Sequence, residues 1–386
     1  MISAPLQFAS AKHTKFIMNY KPLVSVSMIT YNHEKYIEEA ILGVLMQETS
    51  FDIELIISND NSPDGTDAII RRILKEHSKA FCIKYIKHNE NIGAMPNSLH
   101  NLQLCSGKYV ALCEGDDCWT DSEKLQIQID EMQRRPNCDI SFHAAEIISG
   151  SNRTNRVMAF HHFTTKIFSS RDVIMGGGDF CPTASIVIKR SIIEGVHDFL
   201  RQAPVGDYFL QVMGSLKGGA LYLNRVMSAY RRDTPFSWTT EMQCLQKKRI
   251  FFNSILSTIQ KFDRYLKRAH TSELNFEIER HYLHLSLTYL GRDRMGDYRS
   301  FFEEYSRKHD STLRVRALFH TGILTKSVGF VVFLDRLFFG YPGAWTRVFR
   351  KLFSYLCQCR MRQRIQPLNA TVAPPCGVLE TQSSSR

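Results

Sequence analysis

Ile53-Glu54-Leu55-Ile56-Ile57 runs straight into Asn59-Asp60-Asn61-Ser62-Pro63-Asp64-Gly65-Thr66, and this passage from apolar to polar residues decides the fold. A short apolar run closed by turn residues predicts a strand covered on both faces, as in a parallel sheet. Upstream, Leu23 to Thr30 predicts a second such strand, followed by polar Tyr31-Asn32-His33 and then by Ile37, Ala40, Ile41, Val44 and Leu45 at helical spacing. Downstream come a helix from Ala68 to His77, a strand from Phe81 to Ile86, a helix near Pro96 to Leu104 and a strand from Tyr109 to Cys113. Strands alternating with helices require parallel pairing through right-handed crossovers. In such α/β sheets ligands sit outside the carboxyl ends of the strands. The polar clusters after Ile29, Ile57 and Leu112 all fall at that edge.

Further along, Leu125, Ile129 and Met132 suit a helix, and Asp121 or Ser122 is placed to cap it. After Gly150 the pattern is less regular, with strands expected at Ala184 to Ile188 and Met227 to Tyr230 and a helix from Asp207 to Leu216. Helical spacing dominates from about Thr240 to His309. The chain of 386 residues is long for one core of ~100–200 residues. It divides into an arm (1–19), an α/β domain (20–240), a helical region (241–313), a basic aromatic stretch (314–365) and a tail (366–386). A hydrophobic share of 44% with 23% charged residues excludes wholesale disorder. Ten scattered cysteines without an apolar leader point to reduced thiols and a cytoplasmic setting.

Two polar stretches carry chemistry. Asp60, at the end of a buried strand, is placed to accept a hydrogen bond from a ring N–H of a bound base; the alternative is a plain turn that caps the next helix. Glu114-Gly115-Asp116-Asp117 sets three carboxylates within four residues, and burying them together is costly unless a cation neutralises them. Hard oxygen donors suit Mg²⁺ or Mn²⁺, which in turn can grip a diphosphate. A solvated acidic turn is the bland alternative. No Gly-X-Gly-X-X-Gly follows the first strand and no Gly-X4-Gly-Lys-Ser/Thr occurs, so dinucleotide and P-loop readings lose their support. Gly176-Gly177-Gly178 reads as a loop, His161-His162 as a weak zinc candidate, and no nucleophile elbow is present.

The segments Val24-Ser25-Val26, Thr30-Tyr31-Asn32, Asn59 to Thr66, Asn91-Ile92-Gly93, Ser106-Gly107-Lys108-Tyr109 and Glu114-Gly115-Asp116-Asp117-Cys118-Trp119 resemble, in order and spacing, the inverting family 2 glycosyltransferases with a GT-A fold. The resemblance covers roughly residues 20 to 240. It implies a nucleotide-sugar donor bound near Thr30, Tyr31, Asn32, Asp60 and Asn91. It further implies a Mn²⁺ or Mg²⁺ ligand in Asp116, donor contacts from Glu114 and Asp117, and a glycan or lipid-linked acceptor. In the same way Asp207, in Val205-Gly206-Asp207-Tyr208, stands where the family has its catalytic base. Glu114 replaces the usual first aspartate of the metal motif, and Ser98 stands where many relatives carry an arginine. The diphosphate charge is then expected to be met by the metal, or by Arg231 and Arg232 after the Met227 to Tyr230 strand. A nucleotidyltransferase and a non-catalytic scaffold are the competing readings.

The net charge of +11 is local. Arg314 to Arg364 holds ten basic residues, one acid and ten aromatics, leaving the remainder close to neutral. A nucleic-acid partner is therefore disfavoured. Around Trp345, Val348, Phe349, Leu352, Phe353 and Leu356 the apolar residues share one helical face. That pattern fits either a helix lying in an anionic membrane interface or packing on the catalytic domain.

Overall fold

The computed structural model describes residues 21–308 apart from 151, 195–197, 233, 235–237, 293 and 294, together with 316, 318–320 and 322. The expected arm, the tail and nearly all of the basic aromatic stretch lie outside the described residues.

The elements follow in the order β1 (Val24–Thr30), α1 (Ile37–Leu45), β2 (Ile53–Asn59), α2 (Thr66–Glu76), β3 (Ile83–Lys87), α3 (Ala94–Leu104), β4 (Tyr109–Leu112), β5 (Cys118–Trp119), α4 (Lys124–Arg134), β6 (Ile140–Ser149), β7 (Asn152–Met158), β8 (Lys166–Phe168), α5 (Ser170–Gly176), β9 (Val187–Lys189), α6 (Asp198–Arg201), α7 (Asp207–Ser215), β10 (Ala220–Arg232), α8 (Trp238–Glu241), α9 (Leu245–Tyr265), α10 (Thr271–Leu290) and α11 (Met295–Lys308). One sheet runs β3-β2-β1-β4-β9-β6-β10-β5, with β7 paired to β6 and β8 to β10. Its long ladders, β3-β2-β1-β4 and β6-β10, are parallel, and the short strand β9 joins them antiparallel to both β4 and β6. Val24, Val26 and Met28 of β1 and Leu55 and Ile57 of β2 pack with Ile37, Ile41 and Val44 of α1 in the main core.

The opposite end of β1 explains Ser106-Gly107. The Glu54 carboxylate accepts hydrogen bonds from the Ser25 hydroxyl at 2.6 Å and from the Ser106 amide at 2.8 Å. Burial opposes ionisation there, yet these bonds hold the carboxyl below its ordinary range. A Cβ at residue 107 would stand 2.7 Å from the Ser25 amide nitrogen and 2.9 Å from the Val24 carbonyl carbon, so only glycine lets the chain pass so close to β1.

Two of the expected strands differ in extent, and β5, β6, β7 and β8 have no counterpart in the sequence reading. β10 begins at Ala220, well before Met227, because it pairs with β6 along its length through two register shifts. β9 starts only at Val187, since Thr183–Ser185 form a 3₁₀ turn. The chain separates into two compact units, the first ending at Leu285 and the second starting at Ser286. In the second unit Tyr298 stacks on Phe319 at 4.9 Å between ring centroids and donates a hydrogen bond to its carbonyl.

Candidate active site

Three loops at the carboxyl ends of β1, β2 and β3 are tied to one another by side chain to backbone hydrogen bonds. In the loop after β1, the amides of Asn32, His33 and Glu34 donate to the Ser62 hydroxyl, the Thr66 hydroxyl and the Asp64 carboxylate, at 3.1, 3.1 and 3.0 Å. Glu34 answers by accepting the Gly65 amide at 2.8 Å. Asp60 receives the amides of Ile92 and Gly93 at 2.8 and 2.9 Å and is only 3% exposed. The Asn-rich turn after β2 thus supplies acceptors for loops on both sides of it. Asn32 adopts a left-handed φ of 60°, and the Asn91 side chain is exposed.

The acidic turn grows out of β4. The amides of Cys113 and Gly115 donate to the carbonyls of Ser27 and Ile29, extending the pairing with β1 and holding the turn against its end. A Cβ on Gly115 would fall 2.7 Å from Thr30 Oγ1 and 2.9 Å from His33 Nδ1. Glycine therefore lets the turn close on Thr30, whose hydroxyl lies 3.2 Å from His33 Nδ1. His33 Nε2 in turn is 3.9 Å from Asp116 Oδ2. His33 was not singled out from the sequence, although it belongs to the polar cluster after Ile29.

Asp117 is buried. One oxygen accepts the Arg231 amide at 2.8 Å, and the other, Oδ2, has no hydrogen-bond partner. Burial, reinforced by the charges of Asp116 and Glu114, pushes its carboxyl well above the ordinary range. Glu114 is pushed up to about 8 by desolvation and then by the charges of Asp116 and Asp207. The folded chain therefore holds the Glu114 proton more tightly than the unfolded chain does. The ligand-free protein is expected to lose stability as pH rises from about 4.5 to about 8, read as a falling denaturation midpoint.

Asp207 opens α7, where a carboxylate is favoured by the helix dipole. Its Oδ1 accepts the Tyr208 amide at 2.8 Å and its Oδ2 faces the Thr183 hydroxyl at 3.4 Å. Burial, then the charge of Asp179, raises its carboxyl above the ordinary range. Because its charge acts on Glu114, Asp207 shares one electrostatic environment with the acidic turn.

Arg231 is engaged differently from the expected contact with donor charge. It is 4% exposed, and its Nε donates to the Asp116 carbonyl at 2.8 Å. Nη1 donates to the Gly150 carbonyl at 2.5 Å, and Nη2 pairs with Glu39 at 2.6 Å. The guanidinium also lies over the Tyr36 ring, 4.5 Å from its centroid. All three of its side-chain nitrogens thus already have protein acceptors behind the acidic turn.

Other sequence candidates have ordinary roles. His161 stacks on Phe180 at 4.2 Å and bonds its carbonyl, and Cys113 and Cys118 are buried free thiols. Among the described residues no helix is long and apolar enough to cross a membrane.

Residues 25–196 match the family model described as glycosyl transferase family 2. An uncharacterized protein of Mycobacterium tuberculosis is 32% identical over 215 residues, 56% of this chain and 60% of that one. The putative teichuronic acid biosynthesis glycosyltransferase TuaG of Bacillus subtilis is 37% identical over 124 residues, 32% of this chain and 47% of TuaG. The chain thus spans 60% or less of the length of these curated relatives. Among solved structures, TarS of S. aureus in complex with UDP-GlcNAc is similar at a TM-score of 0.46 and 14% identity, over 74% of this chain and 92% of that one. The mannosyltransferase PcManGT from Pyrobaculum calidifontis, in complex with GDP-Man and Mn²⁺, gives a TM-score of 0.47 at 14% identity, over 90% of this chain and 88% of that one. Residues 25–196, which carry the strands β1 to β4 and the acidic turn at the carboxyl edge of the sheet, are thus similar to glycosyltransferase family 2.

Proposed function

We propose that the protein is a metal-dependent inverting glycosyltransferase that moves a sugar from a nucleotide-sugar donor to a saccharide or lipid-linked acceptor. The observation that carries this reading is the clustering of Glu114, Asp116 and Asp117 at the carboxyl edge of the sheet, with Asp207 acting electrostatically on the same group. In this reading Thr30, Tyr31, Asn32, Asp60 and Asn91 line the nucleotide side, and Glu114 and Asp117 the sugar and ribose side. Arg231 backs the turn from within the protein.

The acidic turn fits a divalent cation: Asp117 Oδ2 is a buried oxygen with no partner, and Asp116 presents a carboxylate toward His33. Among the described residues no group of three His, Cys, Asp or Glu side chains is already arranged to hold an ion, so Asp116 would be the main protein ligand, with the donor's phosphates completing the shell. When bound, Mn²⁺ or Mg²⁺ supplies positive charge to the departing diphosphate. Asp207 takes the proton of the acceptor hydroxyl as its oxygen attacks the anomeric carbon opposite the leaving group, which inverts the configuration. Its raised pKa keeps it a competent base.

The name of TuaG supports a setting in surface glycan assembly. The basic aromatic stretch supports a cytoplasmic enzyme peripheral to an anionic membrane. The reading is tested by screening UDP- and GDP-sugars with Mn²⁺ for nucleoside diphosphate release and thermal stabilisation. Asp116→Ala is expected to abolish the Mn²⁺-dependent part of the stabilisation. Pyrophosphate as the product, or no nucleotide binding with or without metal, would exclude glycosyl transfer.

A further inference from the structure

Gly176-Gly177-Gly178 has a purpose that its composition did not disclose. Gly177 ends α5 with φ at 69°, and a Cβ there would fall on the Arg280 guanidinium. Arg280 therefore occupies the place of the missing side chain, and its Nη1 donates to the Gly176 carbonyl at 3.2 Å. Arg280 is itself oriented by Glu277, one turn earlier on α10 and 1% exposed, which accepts its Nη2 at 2.6 Å and lies 3.1 Å from His281 Nε2.

The loop that begins at this seat is held at two further points. Gln211 of α7, fully buried, donates to the Gly178 carbonyl at 3.3 Å and accepts the Cys181 amide at 3.1 Å. The loop then delivers the Thr183 hydroxyl to Asp207 Oδ2. Asp179, between these anchors, is close enough for its charge to act on Asp207. One short segment thus links α10, outside the matched family region, to the carboxylate at the start of α7.

We propose that Arg280 is a positioning residue for Asp207: by filling the space left by Gly177 and holding the Gly176 carbonyl, it fixes the loop that carries Asp179 and Thr183 to the base. This rests on the glycosyl-transfer reading above. Reacting groups misplaced by about 1 Å lose rate far more than they lose ligand affinity. Disturbing the seat should therefore act on turnover and leave donor binding alone.

The test measures nucleoside diphosphate release from UDP-GlcNAc, UDP-glucose and GDP-mannose with Mn²⁺, for the full chain carrying Arg280→Met, Arg280→Lys, Gly177→Ala, or Gly177→Ala with Arg280→Met. Arg280→Met should lower kcat roughly 10- to 100-fold with donor KM within about twofold, and raise amide exchange across 178–183. Arg280→Lys, which retains one donor for the Gly176 carbonyl, should recover part of the loss. Gly177→Ala expels the guanidinium, so the double variant should be no slower than the worse single one. An Arg280→Met enzyme with unchanged kcat, losses that add in the double variant, or unaltered exchange in the loop each overturn the proposal. A wild type that releases no nucleoside diphosphate from any of the sugars overturns the glycosyl-transfer reading, and the positioning role falls with it.

Discussion

Asp207→Asn is expected to bind nucleotide as the wild type does while kcat falls roughly 10²- to 10⁴-fold, the usual contribution of a positioned general base. Asparagine has the shape of aspartate and keeps an oxygen for the Tyr208 amide, so the start of α7 should survive the change. What it loses is the ability to take a proton. Burial and the charge of Asp179 raise the Asp207 carboxyl above its ordinary value of 3.8, so the acid limb of kcat/KM should lie above that value in the wild type. Activity should appear as pH rises through the limb, because only the ionised form accepts a proton, and the limb should vanish from the residual rate of the variant. Steady-state nucleoside diphosphate release from pH 4 to 9, beside nucleotide titrations, measures both. An Asn variant with wild-type kcat would move the base to another group.

Arg231→Met should be strongly destabilising, by about 2–3 kcal/mol, because two backbone carbonyls lose a charged donor, while the half-exposed Glu39 is resolvated. The methionine would leave the carbonyls of Asp116 and Gly150 without their donors and remove the partner of Glu39. The amide bond to Asp117 belongs to the backbone and would persist, so the turn should loosen without detaching. Denaturant unfolding reads the stability. A Mn²⁺ titration in the presence of UDP or GDP, at a temperature where the variant is still folded, should show metal affinity falling about tenfold, as when outer partners of metal ligands are removed. Unchanged metal affinity in a destabilised protein would make Arg231 a fold residue alone.

The half of the fold from Val24 to Leu112 was legible because β1, β2 and β4 are covered on both faces and so spell themselves as apolar runs. β7 was missed for the converse reason: Asn152–Met158 pairs only with β6 and leaves most of its side chains toward water, so it carries almost no apolar pattern. β9 was legible from its apolar residues but not in its start, because Thr183–Ser185 form a 3₁₀ turn ahead of it.

At the site, the acidic turn stands out in the sequence because three carboxylates in four residues are unusual at a strand end, whereas Asp207 was singled out only by resemblance to the family. Arg231 could not be resolved, since its orientation depends on Glu39 and Gly150, both far away in sequence. Asp60 was legible as a carboxylate at the end of a buried strand, but its partners, the amides of Ile92 and Gly93, carry no side-chain signature. Arg280 reads in the sequence as one more cation on a helix, and only the glycine it presses against discloses its place.

The stitching of the loops after β1, β2 and β3 also bears on how this chain can change. Asn32, His33 and Glu34 satisfy their amides with side chains of Ser62, Asp64 and Thr66, and Asp60 does the same for Ile92 and Gly93. A loop transplanted alone from a relative would arrive with half of its bonding partners left behind, and each hydrogen bond lost costs about 0.5–1.5 kcal/mol. Under the proposed function, nucleotide preference would therefore be inherited by three segments together. An exchange that moves all of them as a block should keep the stability that successive single-loop swaps lose.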